Sequence, residues 1–357
     1  MNELLSGFAD VGLHNRLLVV LIVASLLFAA FSISFVGAAL VLRWQNLRKA
    51  RRWNALEARW EAELLDLIAG DITAEALRNR ISKRDSRYFI DYLTRFARRM
   101  RGSERNVVEA LAAPYLPLIV HQLRSRQAAT RSRAVRTLSL LGLKSYAPQI
   151  IGALDDDSPI VAMTAARELS RRENPQYAPA VLLRLERFRD WSPAFLAAML
   201  AGIGPDAATF LRGTLANERQ PSSVRAVAAD ALRALNDLPA ADVAATALLR
   251  ERQRDVVAAA LRLLKQCGNA NHATAIRPLA HNPDDLIRAQ ALSALGTLGD
   301  SRDVPTLTAA LSDPSIWVAS HAAQALLANA GRSALDGIAA SAHPRADLAR
   351  QVLVEAS

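Results

Sequence analysis

The sequence has one cysteine, few aromatic residues and six scattered histidines, and each shortage removes a class of chemistry. Cys267 is the only cysteine in 357 residues, so there is no internal disulfide and no multi-cysteine metal site. A lone thiol also suits a reducing compartment. Aromatic residues make up 5% of the chain while apolar residues reach 51%, much of it Ala and Leu. Closely packed helices are built from such a mixture, and sheets are not. None of His14, His121, His272, His281, His321 and His343 is followed by Glu, and there is no His-Glu-x-x-His, no Walker loop, no Gly-x-Gly-x-x-Gly and no Gly-x-Ser-x-Gly. His272 and His281 flank one short helix with no cysteine or paired carboxylate to complete a metal site, and they read as surface or helix-end residues. Cys267 precedes a helix-ending glycine and reads as a small buried residue rather than a nucleophile. Asp155-Asp156-Asp157 lacks calcium-loop spacing and reads as a polar turn whose charge favours the next helix N-terminus. No catalytic residue, cofactor or metal ligand is expected.

The net charge of +10 and the isoelectric point near 10.5 suggest nucleic acid until the charge is located. Residues 1–42 hold one base and two acids, residues 43–140 hold 21 bases and 10 acids, and residues 141–357 hold 22 of each. The surplus therefore belongs to the segment that follows a long apolar run. Leu17 to Leu42 contains no charged residue. As a helix it would be about 39 Å long, enough to cross a hydrocarbon core of about 30 Å with some tilt. A cleaved secretory signal has a shorter apolar region preceded by positive charge; here Glu3 and Asp10 precede it with Arg16. Arg43, Arg48, Lys49, Arg51 and Arg52 follow it, so the positive-inside rule places residues 1–16 outside and the C-terminal side in the cytosol of an inner membrane. Ala30, Ser34 and Ala38 form a small-residue row that is a candidate packing face for another transmembrane helix.

Beyond the span, Trp53, Leu56, Trp60, Leu64 and Leu67 recur at helical spacing until Gly70-Asp71. This amphipathic helix suits either the bilayer surface or the end of a repeat stack; its mixed-charge polar face favours the second. A further helix is predicted over Arg87–Arg101, with Phe89, Leu93, Phe96 and Met100 on one stripe. Arg87, Arg95, Arg98, Arg99 and Arg101 then join the juxtamembrane bases as a candidate face for anionic lipid or an acidic partner.

Repetition dominates the rest. Gly142, Gly204, Gly268, Gly299 and Gly331 each follow an apolar helical stretch, at separations of 62, 64, 31 and 32 residues. All are one or two units of 31–32, and the two skipped positions fall at Glu173 and Asn236. Glycine there is expected to supply a left-handed helix-closing turn. Pro148, Pro179 and Pro305 open the following helices, and Leu154, Leu185, Leu248 and Leu311 share one core position. Val224/Ala228/Leu232, Val256/Ala260/Leu264 and Ile287/Ala291/Leu295 give an i, i+4, i+8 stripe whose small middle residue allows close helix packing. Ser158-Pro159, Ser192-Pro193 and Asp313-Pro314 read as an N-cap followed by proline at the first helical position.

Each unit is helix–turn–helix with an apolar face that only a neighbour can bury. The stretch DDLIRAQALSALGTLGDSRDVPTLTAALSDPS (284–315) resembles a HEAT repeat of the short bacterial, phycobilin-lyase-like kind, and the resemblance extends over about residues 105–340. Tetratricopeptide repeats fit less well, because their Trp and Tyr columns are missing and the period is shorter than 34. The resemblance implies an all-α solenoid of about seven to eight hairpins. The expected organisation is residues 1–16 outside, 17–42 spanning, 43–103 a basic amphipathic linker and N-terminal cap, and 104–357 the solenoid. Some relatives with such repeats are enzymes. Deoxyhypusine hydroxylase binds iron through His-Glu pairs, which are absent here, and the likeness to phycobilin lyases supplies no catalytic residue. HEAT-like DNA glycosylases use aromatic and acidic residues in a basic channel; Asp190-Trp191 is a partial match in a region without net charge. The expected function is therefore a non-enzymatic, membrane-anchored scaffold binding a protein partner, with anionic lipid at the basic region and no nucleic acid. The alternative is a lyase-like enzyme or DNA-repair-like nucleic-acid binder that uses the concave face.

Overall fold

The computed structural model describes residues 2–100, 102–171 and 175–356, and among these there are helices and turns but no strand. The chain divides into two compact units, Met1–Tyr115 and Leu116–Ser357.

The first unit contains α1 (Asn2–Ala69), α2 (Ala74–Arg80), α3 (Ser86–Ala97) and α4 (Gly102–Ala112). The apolar run and the amphipathic segment after it are one helix, since no Gly or Pro interrupts residues 43–69. It ends at Gly70, whose φ of +87° lets the Asp71 N–H reach back to the Asp66 carbonyl at 2.9 Å. Trp60, Leu64 and Leu67 are buried, as are Phe89, Ile90 and Leu93 of α3. Trp60 meets Phe89 edge-on at 5.1 Å, and Phe89 meets Tyr115 at 5.9 Å. Aromatic pairs of this kind add about 0.5–1.5 kcal/mol each beyond area burial. Protein thus covers the apolar face of the second half of α1. Burial, with Glu61 and Glu57 adding to it, pushes the Tyr92 hydroxyl up to about 12. The helix α3 is shorter than the periodicity predicts. It closes at Ala97 through i→i+3 hydrogen bonds from Arg99 to Phe96 and from Met100 to Ala97, just before Gly102 at φ +60°.

The second unit stacks eight hairpins: α5 (Leu116–Gln122) with α6 (Ala128–Leu141), α7 (Leu143–Gly152) with α8 (Pro159–Leu169), α9 (Ala178–Leu182) with α10 (Pro193–Ala201), α11 (Ala208–Ala216) with α12 (Ser222–Ala234), α13 (Ala240–Arg250) with α14 (Arg254–Cys267), α15 (Ala273–Ile276) with α16 (Asp285–Leu298), α17 (Val304–Ala310) with α18 (Ile316–Ala330), and α19 (Arg332–Ala339) with α20 (Ala346–Glu355). The repeat columns explain the stacking. Leu154, Leu185, Leu248 and Leu311 are all buried, and so are the three Val/Ile–Ala–Leu stripes. Second helices of successive hairpins pack closely on one another along most of the stack, while first helices touch much less, so the even-numbered helices form the inner layer.

Several local expectations change. Gly204 (φ +98°, ψ −176°) and Gly331 (φ +75°, ψ −179°) do take the positive φ that favours glycine, but with an extended ψ in place of a left-handed helical turn. Gly142, Gly268 and Gly299 do not (φ −165°, −78° and −75°) and are glycine for lack of space. A Cβ on Gly268 would lie 2.5 Å from the Leu264 carbonyl oxygen and 2.9 Å from Leu298 Cδ1. At the skipped position Asn236 the left-handed turn is made, with φ +55° and the Asp237 N–H reaching back to the Leu232 carbonyl at 3.1 Å, as this residue type tolerates. Glu173 lies outside the described residues. Pro159, Pro179, Pro193 and Pro305 sit in the first turns of their helices, and Pro148 follows a break at Tyr146. Asp313-Pro314 does not open α18, whose N-cap is Ser315. Asp313 instead accepts the Ser315 N–H at 2.9 Å and a two-pronged bond from Arg288 at 2.9 and 3.0 Å.

This last arrangement recurs. Arg131 donates to both oxygens of Asp156 at 2.8 Å and to the Ser125 carbonyl, while Arg288 also donates to the Asn282 and Pro283 carbonyls. Arg225 donates to the Leu215 carbonyl and pairs with Glu251. In each case an arginine near the start of an inner helix ties the turn before it, or for Arg225 the last turn of α11, to the acid before the next inner helix. The Arg131 hydrogen bonds hold the Asp156 carboxyl below its ordinary range against the opposing effect of partial burial, with help from the Ser158 N–H.

Candidate functional site

Two regions present groups that the fold does not use up. The first lies on α1. Among the described side chains from Val20 to Leu42 the large ones are uncovered, with Leu26, Phe28, Phe31, Ile33 and Phe35 each more than 60% exposed. The window of highest hydropathy averages 2.4, none of it buried, and this is the one single helix among the described residues long and apolar enough to cross a membrane. Ala30, Ser34 and Ala38 are exposed on it.

The basic residues near this stretch separate into two sets. Arg52 pairs with Asp85, and Arg95 pairs with Glu57 at 2.9 Å while lying 4.6 Å over the Trp53 ring. Both join α1 to the α3 region and serve the fold. Arg48 lies over the Trp44 ring at 3.4 Å. Arg43, Lys49, Arg51, Arg87, Arg98 and Arg99 are exposed. Arg98 and Arg99 lie past the end of α3 rather than on it, and Arg101 lies outside the described residues.

The second region is the inner face of the stacked hairpins. Between α10, α12 and α14 a groove of about 200 Å³ is lined by Trp191, Leu196, Val227, Ala258 and Leu286. On its other side α8 and α10 lack the close contact of the other inner helices, and Leu185, which lines the groove, and Phe188 are buried in the stretch that joins them. Trp191 stacks on Phe195 at 5.7 Å with 30° between planes, and Phe195 is exposed. Four charged residues border the groove, Arg189, Asp230, Asp255 and Arg262, and Arg262 pairs with Asp230 at 2.7 Å. Spacing alone did not reveal this groove; the Asp190-Trp191 pair just before Pro193 was its trace in the sequence.

The histidines and the cysteine have structural surroundings. His272 is buried rather than at the surface: Nδ1 accepts the Asn269 N–H at 3.0 Å, which closes a capping box, and Nε2 lies 3.0 Å from Asp242 Oδ1. His281 is exposed. Cys267 is buried, and burial pushes its thiol up, away from nucleophilic character. Asp155 and Asp156 are tied to Arg184 and Arg131. Among the described residues no group of three or more His, Cys, Asp and Glu is gathered to hold a metal ion.

Comparison with known proteins agrees with this architecture. The HEAT-repeat family matches residues 116–192, 241–328 and 273–356, more than half of the chain. The chain belongs to the HEAT-repeat family. No curated protein matches it in sequence. Among solved structures it is similar to the complex of CpcE and CpcF of phycocyanin lyase from Nostoc sp. PCC7120, at 20% identity and a TM-score of 0.31 over 68% of this chain and 88% of that one. It is also similar to a karyopherin bound to the extreme C-terminus of a protein phosphatase, at 13% identity and a TM-score of 0.38. That match covers 78% of this chain and 42% of the karyopherin, so the chain spans less than half of that protein's length.

Proposed function

We propose that this protein is a membrane-tethered HEAT-repeat adaptor. One α1 span holds it in the inner membrane, residues 1–16 lie outside, and the repeats face the cytosol, where they bind a protein partner of an envelope or signalling complex. The observation that carries the reading is the contrast along α1. Its first part leaves a band of large apolar side chains uncovered, while its continuation is buried in a folded aromatic core. Water penalises exposed leucine and phenylalanine at about 25 cal/mol per Å², whereas a bilayer does not. The exposed bases beyond Leu42 supply the retained-side charge and a contact for anionic lipid. Stacked repeats then offer an extended surface whose charges and apolar anchors select a partner.

The function is non-enzymatic in this reading, with no cofactor. A nucleic-acid binder on the inner face calls for a basic groove. The groove bounded by Trp191 balances two arginines against two aspartates, which favours a protein ligand. The test is topological. A reporter active only outside the cytosol, fused after Ser357, stays silent in cells, while a cytosolic reporter is active. Activity of the first reporter reverses the orientation and removes the cytosolic partner.

A further inference from the structure

Arg136 on α6 and Arg167 on α8 stand 31 residues apart, and Asp230 on α12 and Arg262 on α14 follow at intervals of 63 and 32. These are one- and two-repeat steps, so the four residues share one register. Asp230 and Arg262 border the groove, which puts Arg136 and Arg167 on the same inner face. Arg133, Arg136 and Arg167 are exposed, and no described residue pairs with them. The acids around them are engaged elsewhere: Asp156 by Arg131, Asp155 by Arg184, and Glu168 by Arg171 at 3.3 Å and Ser139 at 3.2 Å. Among the described residues, a patch of uncompensated positive charge therefore precedes the half-exposed Trp191–Phe195 stack and the groove on one surface.

The groove itself makes a different demand. At about 200 Å³ it is smaller than the roughly 300–1,000 Å³ of small-molecule sites and suits one side chain. Its walls at Leu196, Val227, Ala258 and Leu286 are apolar, and the Asp230–Arg262 pair is already neutralised. From these two features we infer that the inner face receives a linear segment of a partner protein, with carboxylates at one end and one large aliphatic or aromatic anchor at the other. The carboxylates meet Arg133, Arg136 and Arg167, and the anchor enters the groove under Trp191. Packed helices lie about 8–10 Å apart, α8 and α10 lie further, and an extended chain advances about 3.3–3.6 Å per residue, so at least about five residues separate the two ends. A nucleic acid would need the positive register to continue, and after Arg167 it passes to Asp230. The inference rests on the adaptor reading and specifies its ligand.

The test uses the full chain in zwitterionic nanodiscs, which removes anionic lipid as a competitor. A phage-displayed library of random linear peptides is selected on it, and the strongest peptide is synthesised and titrated by fluorescence anisotropy at physiological salt. Selected peptides should combine an acidic cluster with an aliphatic or aromatic residue at the stated spacing. Arg133→Glu, Arg136→Glu and Arg167→Glu together should weaken binding about tenfold or more, as three solvent-side ion pairs allow. Ala226→Trp, which fills the groove from its rim, should weaken it similarly. Helical circular dichroism checks that both variants fold, and the milder Arg→Gln triple replaces the first if it does not. Peptides lacking acids, binding indifferent to both variants, or stronger binding by single-stranded RNA would overturn the inference. A native partner crosslinked in membranes and still captured by the charge-reversed chain would leave the adaptor reading standing while removing this one.

Discussion

The arginine clamps can be tested most directly at Arg288. Its guanidinium makes four hydrogen bonds, two to Asp313 at 2.9 and 3.0 Å and one each to the Asn282 and Pro283 carbonyls at 2.9 Å. Arg288→Met keeps the aliphatic stem, removes all four, and leaves the Asp313 carboxylate facing a gap. The side chains are 18% and 12% exposed, so water replaces part of what is lost. A fully buried pair broken on one side costs about 3–5 kcal/mol, and a charged hydrogen bond about 1.5–3 kcal/mol. The partial exposure places the expected loss near 2 kcal/mol. For a domain the size of the second unit this lowers Tm by roughly 4–8 °C. The assay is thermal unfolding of the full chain followed by circular dichroism, with hydrogen exchange to locate the change. Because a stack of repeats loses stability locally, protection should fall first in α16, α17 and α18. Arg350→Met is the control, since Arg350 and its partner Asp347 are both exposed. If Arg288→Met shifts the transition no more than this control, the clamps are a surface ornament and the reasoning fails.

Two further outcomes follow from the same geometry. Asp156→Asn should destabilise the protein at neutral pH, and the gap from wild type should close as pH falls: the folded carboxyl titrates below its unfolded value of about 3.9, so its stabilisation is present above that pH and lost on acidification below it. A gap that widens in acid would show that the Arg131 pair is not its source. Glutamine at Arg43, Lys49, Arg51, Arg87, Arg98 and Arg99 should reduce binding of the nanodisc-held chain to anionic vesicles without changing Tm, whereas glutamine at Arg52 and Arg95 should lower Tm, because those two hold α1 against the α3 region. Equal effects of the two sets on both measurements would erase the division drawn between them.

The sequence by itself determined what depends on short periods and on composition. The 31–32-residue recurrence of Leu154, Leu185, Leu248 and Leu311, and the Val–Ala–Leu stripes, announced stacked helical hairpins, because an apolar face repeated at fixed intervals has no other neutral way to leave water. The apolar run at 17–42 and the charge step after it were equally plain. Tertiary structure decided everything that joins one repeat to the next. Arg131 and Asp156 are 25 residues apart, as are Arg288 and Asp313, and no local rule distinguishes them from other surface charges until the hairpins stack. The same stacking closes the space around Gly268 and buries His272 against Asp242, and in the first unit the approach of the α3 region to α1 gives Arg52 and Arg95 their carboxylate partners. A residue's spacing fixes which face of its helix it occupies, but only the approach of the next element fixes whether that face meets water, a carboxylate or a wall.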